Sequence, residues 1–433
     1  MKDENGKLVS FQGEPINSGG EGKIYKTDWI GFVAKVYDIL PSSDQITKLK
    51  AMIANPPKDP PTNGNHVAIA WPSSLLFDKN QCIGFLMPQI GKNVQLIEVY
   101  NPKRRKAVLP KCDWVFLHTA ARNFAEIVNS LHKTDYVIGD IKPQNILVDN
   151  HALVSVVDTD SFQVRTGNTV YRCHVATEGF TPPELLGVDT SNVTQTMYHD
   201  RYRIALIIYH LLFTRHPFDE GKWQGSGEPP SQVELIKQGV WLYNSQGLFQ
   251  PHKVTIPLQI IHPNLQRLFQ QCFNAGHKEP TKRPSAEEWS EALRLAINDL
   301  TSCGKVDTHK FSRTYGQCYW CERKGILNNL DIFEGEPPKL KMKIPTRSRQ
   351  TVFPTSSLPT RTQSVAPTSP TNQTPIPPQT TKSDSNLSPK AKKIIGGGLL
   401  LMAGVCFVVG YASWGIVVGM FLLIYGFSFW SNS

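Results

Sequence analysis

The alternation of apolar and polar positions divides the chain into stretches of different character. "INSGGEGKIYKTDWIGFVAKVYD" (16–38) predicts strand, Gly-rich turn, strand, turn and strand. "PSSDQITKLKAMIANPP" (41–57) is bounded by prolines and opens on serine, which predicts a helix. "CIGFLMPQI" (82–90) predicts a further buried strand. Helical spacing then takes over. "DWVFLHTAARNFAEIVNSLHKT" (113–134) carries apolar residues at helical intervals. "DRYRIALIIYHLLFTRHPF" (200–218) is so apolar that it predicts a buried core helix, too short and too charged at its ends for a membrane span.

Beyond about residue 298 the pattern breaks. Residues 299–330 hold three cysteines and a histidine close together. Residues 338–389 are rich in Pro, Ser and Thr and poor in large apolar side chains, so they predict a disordered tether within a linker over 331–393. Residues 394–430 are almost wholly apolar and uncharged, longer than the roughly 20 residues of one crossing. "GYASWG" (410–415) divides them, so one long tilted helix and a hairpin of two short helices both remain open. "KAKK" (390–393) precedes this span, and the positive-inside rule then places residues 1–393 on the cytoplasmic side.

Composition narrows the classes. With 433 residues, 40% hydrophobic and 19% charged, the chain has room for one large globular domain with appendages. The formal net charge of +10 is spread along the chain, and "PKRRK" (102–106) reads as solvated surface rather than a nucleic-acid patch. The polar start "MKDENGKLVSFQG" does not resemble a signal peptide. Most of the eight cysteines stand singly, which argues against a disulfide framework and for a reducing compartment.

The chemistry concentrates in "VIGDIKPQNILVDNHALVSVVDTDSF" (137–162). Phosphoryl transfer needs metal ions on the triphosphate, a carboxylate to orient the accepting hydroxyl, and donors to hold the phosphates. Asp140 supplies a carboxylate that can accept and aim a hydroxyl proton. Lys142 supplies a cation for the transferring phosphate, and Asn145 and Asp158 supply oxygen ligands suited to Mg²⁺. A hairpin through "ILV" and "LVSVV" would carry Asp158 back beside Asn145.

"DIKPQN" followed by "VVDTDSF" resembles the catalytic loop and metal-binding segment of the protein-kinase superfamily, with matching spacing from Asp140 to Asn145 and Asp158. "NSGGEGKIY" (17–25) resembles that family's Gly-rich loop, with Gly19 and Gly22 at its second and third glycines and Asn17 in place of the first. "FVAKVY" (32–37) makes Lys35 the candidate for the α- and β-phosphates. "GFTPPELLG" (179–187) and "KRPSAEEW" (282–289) resemble the family's later motifs, which implies a Glu184–Arg283 salt bridge. Asp200 heads the buried helix as the family's Asp does, and Ala205 stands where a Gly is usual. The resemblance covers about residues 10–298. It implies an α+β, two-lobed kinase fold, with a small β-rich lobe over about 1–88 and a helical lobe over about 89–298. It also implies ATP with Mg²⁺ or Mn²⁺, and Ser/Thr acceptors in protein substrates.

The departures bear on activity. Ile138-Gly139 stands where the family has His-Arg, and Thr159-Asp160 where it has Phe-Gly. Asp160 adds a carboxylate that either assists at the metals or faces solvent. The helix over 43–54 has no Glu to pair with Lys35, and Asp44 and Gln45 are the nearest candidates. The alternative to an active enzyme is a pseudokinase scaffold that binds nucleotide and partner proteins. "IGDIKPQN" is also similar to aminoglycoside-type phosphotransferases, which usually carry His where Lys142 stands and lack the "TPPEL" and "RPSA" pair.

"CGKVDTHKFSRTYGQCYWCERKG" (303–325) offers Cys303, His309, Cys318 and Cys321, a set that suits structural Zn²⁺ and leaves no open position. Free cysteines or a Cys318–Cys321 disulfide are the alternatives. Tyr319 and Trp320 either pack on the main domain or form a partner surface. A kinase-like domain with "DTDSF" and a trailing Cys-x2-Cys knuckle resembles a group of bacterial proteins, some with helix-hairpin-helix DNA-binding elements. This chain shows no convincing element of that kind, so no nucleic acid is expected. The expectation is a Ser/Thr kinase tethered by its C-terminal segment, its catalytic domain cytoplasmic, with the linker's Ser and Thr residues as autophosphorylation sites.

Overall fold

The computed structural model describes residues 1–58, 66–219 and 221–335. The expected tether over 338–389 and the apolar segment over 394–430 lie outside the described residues. Among the described residues, no helix is long and apolar enough to cross a membrane.

The first half is a six-stranded sheet. Its strands are β1 (Lys2–Asp3), β2 (Asn17–Ser18), β3 (Gly22–Lys26), β4 (Phe32–Tyr37), β5 (Ser74–Asp78) and β6 (Gln81–Pro88). They lie in the order β1-β5-β6-β4-β3-β2, and every pair is antiparallel. Two glycines let the strand that carries Lys35 sit close between its neighbours. A Cβ on Gly22 would lie 2.3 Å from the Val36 carbonyl oxygen, and one on Gly84 would lie 1.9 Å from that of Lys35. Helix α1 (Ser43–Ala54) starts where the serine predicts. Ser42 accepts the Gln45 N–H at 3.2 Å, and Gln45 Oε1 accepts that of Ser42 at 2.8 Å, a reciprocal cap. The helix turns Lys48, Leu49 and Met52 inward.

Strand β7 (Val94–Gln95) and helices α2 (Leu96–Tyr100) and α3 (Pro102–Val108) lead to α4 (Trp114–Lys133), capped by Asp113. Strands β8 (Ile146–Val148) and β9 (Val154–Val156) form the expected hairpin, and β10 (Val164–Thr166) pairs with β11 (Thr169–Tyr171). Helix α5 (Met197–Phe213) starts three residues before Asp200. It is the buried core helix that its composition predicts, with every residue from Tyr202 to Tyr209 buried. Each large apolar side chain so buried contributes roughly 1.5–3 kcal/mol relative to exposure. Helices α6 (Gln232–Gln238), α7 (Pro263–Gln270) and α8 (Ala286–Asp299) complete this half, and α4 packs against both α5 and α8.

The Cys/His segment forms a hairpin, Leu300–Ser302 with Lys310–Ser312, and a helix, Tyr319–Ile326. Of the two placements open for Tyr319 and Trp320, the structure has them packed on the main domain. Trp320 meets Trp114 of α4 edge-on at 5.0 Å between ring centroids. Packing also continues past residue 330, where the sequence suggests a linker. Phe333 is buried against Trp320 at 4.7 Å, and Asp331 faces His309. The expectation of a solvated "PKRRK" fails at one position. Arg105 is only 2% exposed. It donates to the carbonyls of Val99 (3.3 Å) and Ile332 (3.1 Å) and lies over the Phe333 ring. A cation among other cations in sequence is thus a clamp between α3 and the end of the Cys/His segment.

Candidate active site

Asp140 follows a tightly held bend. Gly139 has φ +78°, and a Cβ there would lie 2.6 Å from Cβ and 2.8 Å from Sγ of Cys173. This is the physical reason a glycine stands where the resembled family has Arg. Buried Asp200 accepts the N–H groups of Ile138 (2.8 Å) and Gly139 (3.0 Å), and is itself braced by His132 (3.2 Å) and Arg203 (3.4 Å). Burial alone would raise the Asp200 pKa, but those partners outweigh it and hold the carboxyl below its usual range. Beyond the bend, Asp140 Oδ2 meets Lys142 Nζ at 2.8 Å. Burial disfavours the Lys142 charge, yet the Asp140 contacts prevail and raise its pKa.

Asn145 ends a single 3-10 turn, Pro143–Asn145. The β8–β9 hairpin pairs Ile146 with Val156, and the Val157 N–H donates to the Asn145 carbonyl at 3.0 Å. That register returns Asp158 to Asn145, with Asn145 Nδ2 at 3.4 Å from Asp158 Oδ2. Asp158 has left-handed backbone, φ 61°, and opens a second 3-10 turn, Thr159–Ser161. The turn is pinned by Thr159 Oγ1 to the Ala70 carbonyl (2.8 Å) and by Ser161 Oγ to that of Asp158 (2.7 Å).

Lys35 reaches this turn from β4. Its Nζ lies 2.9 Å from Asp158 Oδ1, and 2.8 and 2.7 Å from the two oxygens of Asp160. Glu21, in the Gly-rich turn between Gly19 and Gly22, comes within 3.9 Å. Burial would lower the Lys35 pKa, but the charges of Asp160 and Asp158 raise it to about 12. The structure therefore brings Lys35, Asn145 and Asp158 together. Asp140 and Lys142 form an adjoining pair, and the Gly-rich turn is joined to the group through Glu21.

Two questions that the sequence leaves open are resolved. Asp160 does not face solvent, since its side chain is 4% exposed and paired with Lys35. Neither Asp44 nor Gln45 substitutes for the missing Glu. Asp44 is exposed and Gln45 is spent in the helix cap, while Lys48 is the α1 residue that turns toward the turn. Thr177 is a residue that sequence reasoning misses. Its hydroxyl donates to Asp140 Oδ1 at 2.7 Å, and a lone Thr carries no chemical signal in a sequence. The implied Glu184–Arg283 bridge is present, bidentate at 2.6 and 2.7 Å.

Apart from this cleft, the ligating atoms of Cys303, His309, Cys318 and Cys321 lie within 4.8 Å of one another and can hold a metal ion. The sulfurs of Cys303 and Cys321 are 4.0 Å apart, and His309 Nδ1 is 3.3 Å from the Cys321 and 3.6 Å from the Cys318 sulfur. Tetrahedral zinc with bonds of about 2.3 Å to sulfur would space two sulfurs by about 3.8 Å, so the set fits. The other His309 nitrogen meets Asp331 at 3.0 Å, a carboxylate that fixes the ring's orientation.

Comparison with known proteins agrees with this geometry. Residues 82–293 match the model of the protein kinase domain. The chain is 29% identical over 338 residues to protein kinase YegI of Escherichia coli O157:H7, covering 74% of this chain and 50% of that protein. Against YegI of Escherichia coli K12 the identity is also 29%, over 76% of this chain and 51% of the relative. Human cyclin-dependent kinase-like 4 is 27% identical over 49% of this chain and 55% of its own length. The chain thus spans about half the length of the curated relatives it matches.

Proposed function

We propose that the chain, whose residues 82–293 match the protein kinase domain, is an ATP-dependent Ser/Thr protein kinase held at a membrane by residues 394–430. The observation that carries this reading is the convergence of Lys35, Asn145 and Asp158 beside the Asp140–Lys142 pair. In this reading Lys35 holds phosphate oxygens, and the backbone of the turn from Gly19 to Gly22 lies along them. Asp140 orients the acceptor hydroxyl and takes its proton, and Lys142 neutralises charge on the transferring group. Asn145 and Asp158 offer the hard oxygen donors that Mg²⁺ or Mn²⁺ prefers, and the metal would screen the triphosphate. Asp158 is the more open of the two paired carboxylates, 37% exposed against 4% for Asp160, which suits it to a metal. Cys303, His309, Cys318 and Cys321 would hold structural zinc.

The full chain, incubated with ATP, Mg²⁺ and a generic basic protein, should yield phosphoserine or phosphothreonine on acid hydrolysis. Phosphotyrosine as the main product would contradict the acceptor class. ATP binding without transfer would favour the scaffold instead. Phosphopeptide mapping of the same reaction tests the linker as its own substrate, and an unmodified 331–393 segment would refute that part. For the anchor, carbonate-washed membranes should retain the full chain and release a chain ending at residue 393.

A further inference from the structure

The departures from the resembled family at Asp160 and in α1 are two ends of one arrangement. Lys35 carries one cation, and Asp160 meets it with both oxygens at 2.8 and 2.7 Å. Tyr37, two residues along the same strand, donates its hydroxyl to Asp160 Oδ2 at 2.8 Å. From the other side Lys48 of α1 donates its ammonium to the Asp160 backbone carbonyl at 2.6 Å. Both Asp160 oxygens are thereby occupied by β4, while Lys48 grips the same residue from the helix. Two cations, Lys35 and Lys48, balance two carboxylates, Asp158 and Asp160. Glu21 contributes only a longer contact from an exposed position, at 3.9 Å and 58% exposed.

We propose that Asp160 is the positioning residue for the phosphate-binding lysine, its carboxylate supplied from the turn that carries Asp158 rather than from α1, with Lys48 fastening that turn to the helix. The proposal rests on the reading of Lys35 as the residue that holds phosphate. Its structural consequence is a change in what moves together. Asp158 and the partner of Lys35 sit two residues apart on one pinned 3-10 turn, so a single segment sets both the metal carboxylate and the lysine. Helix α1 acts on the lysine only indirectly, through the bond from Lys48 to the turn. A carboxylate with both oxygens engaged by Lys35 and Tyr37 is also poorly placed to serve as an additional metal ligand, which distinguishes Asp160 from Asp158.

The test measures equilibrium binding of ATP and of adenosine to the full chain at several Mg²⁺ concentrations, for the wild type, Asp160→Asn, and Asp160→Asn combined with Lys48→Glu. Asn keeps the volume and an acceptor for Tyr37 but removes the charge that holds Lys35. Adenosine has no phosphates, so its affinity reports folding and the base site alone. The expected result for Asp160→Asn is at least a tenfold loss of ATP affinity, with adenosine within twofold and an unchanged Mg²⁺ requirement. Returning a carboxylate to α1 in the double variant should recover threefold or more. Unaltered ATP affinity in Asp160→Asn would overturn the proposal, as would a shifted Mg²⁺ requirement, which would make Asp160 a metal ligand. Lys48 and Lys35 both donate to Asp160, so a double variant no tighter than Asp160→Asn would overturn the claim that a carboxylate charge is what holds Lys35. Wild-type chain that binds ATP but transfers nothing refutes the catalytic reading alone, and wild-type chain that binds no ATP refutes both.

Discussion

Thr177 donates its hydroxyl to Asp140 at 2.7 Å, so the carboxylate proposed to aim the acceptor is itself aimed by a neighbour 37 residues away in the chain. Lys142 holds the other oxygen at 2.8 Å. Thr177→Val keeps the shape and removes the hydrogen bond. The expected outcome is a kcat lowered by about tenfold with KM for ATP little changed, because the lost bond orients the acceptor side of the reaction. Steady-state transfer to a basic protein checks it, and an equal rise in KM for ATP would place Thr177 in nucleotide binding instead.

Arg283 is fully buried and holds Glu184 through two parallel bonds, besides donating to the carbonyls of Gly276 and Tyr198. Burial of Glu184 works against its charge, and Arg283 more than offsets this to hold its pKa below the usual range. Arg283→Ala strands a partly buried carboxylate and should cost about 3 kcal/mol. Urea unfolding should show a lower midpoint, with the slope unchanged if the transition stays two-state. Glu184→Gln with Arg283→Met should lose less than Arg283→Ala alone, since no unpaired charge remains.

Removal of the zinc proposed for the Cys/His cluster should be felt in the main domain. Trp320 packs on Trp114, and Arg105 joins α3 to Ile332 and Phe333. Elemental analysis should find one zinc per chain. Chelation, or Cys318→Ser, should lower the thermal midpoint and change tryptophan fluorescence as Trp114 and Trp320 separate. A zinc-loaded chain whose melting is indifferent to chelation would contradict this coupling.

Stability should fall with mild acid before the carboxylates titrate. Burial lowers the pKa of His118 and of His216 to about 4, and that of His210 well below the ordinary value. In the unfolded chain these rings take up protons near pH 6.5, while in the fold they stay neutral. The unfolded state therefore binds more protons between about pH 6.5 and 4, so stability is full above that window and declines as pH falls through it. Urea midpoints measured from pH 7.5 to 5 should drop, and His118→Gln should flatten the drop. A flat profile in the wild type would count against neutral burial of these histidines.

Much of this was readable from local pattern. Helix α1 starts at its serine signal, α4 and α5 follow the apolar spacing, and the hairpin brings Asp158 to Asn145 as the spacing implies. The Glu184–Arg283 bridge followed from the family resemblance. What stayed hidden depends on contacts between distant segments. Nothing near residue 160 in sequence announces that its carboxylate meets Lys35, 125 residues away, or that Lys48 reaches its carbonyl across 112. Arg105 looks like one of several surface cations until Phe333 is seen beneath it. Gly139 reads as a missing Arg, and only the positive φ and the closeness of Cys173 explain it.

The most direct test of the proposed kinase activity is transfer of labelled γ-phosphate from ATP by the purified full chain with Mg²⁺, run beside Asp140→Asn and Asp158→Asn. Both variants should fold and give the circular dichroism of the wild type. The expected result is measurable transfer by the wild type and a loss of a hundredfold or more in each variant. A wild type that binds ATP without transferring phosphate, or transfer that survives in Asp140→Asn, would contradict it.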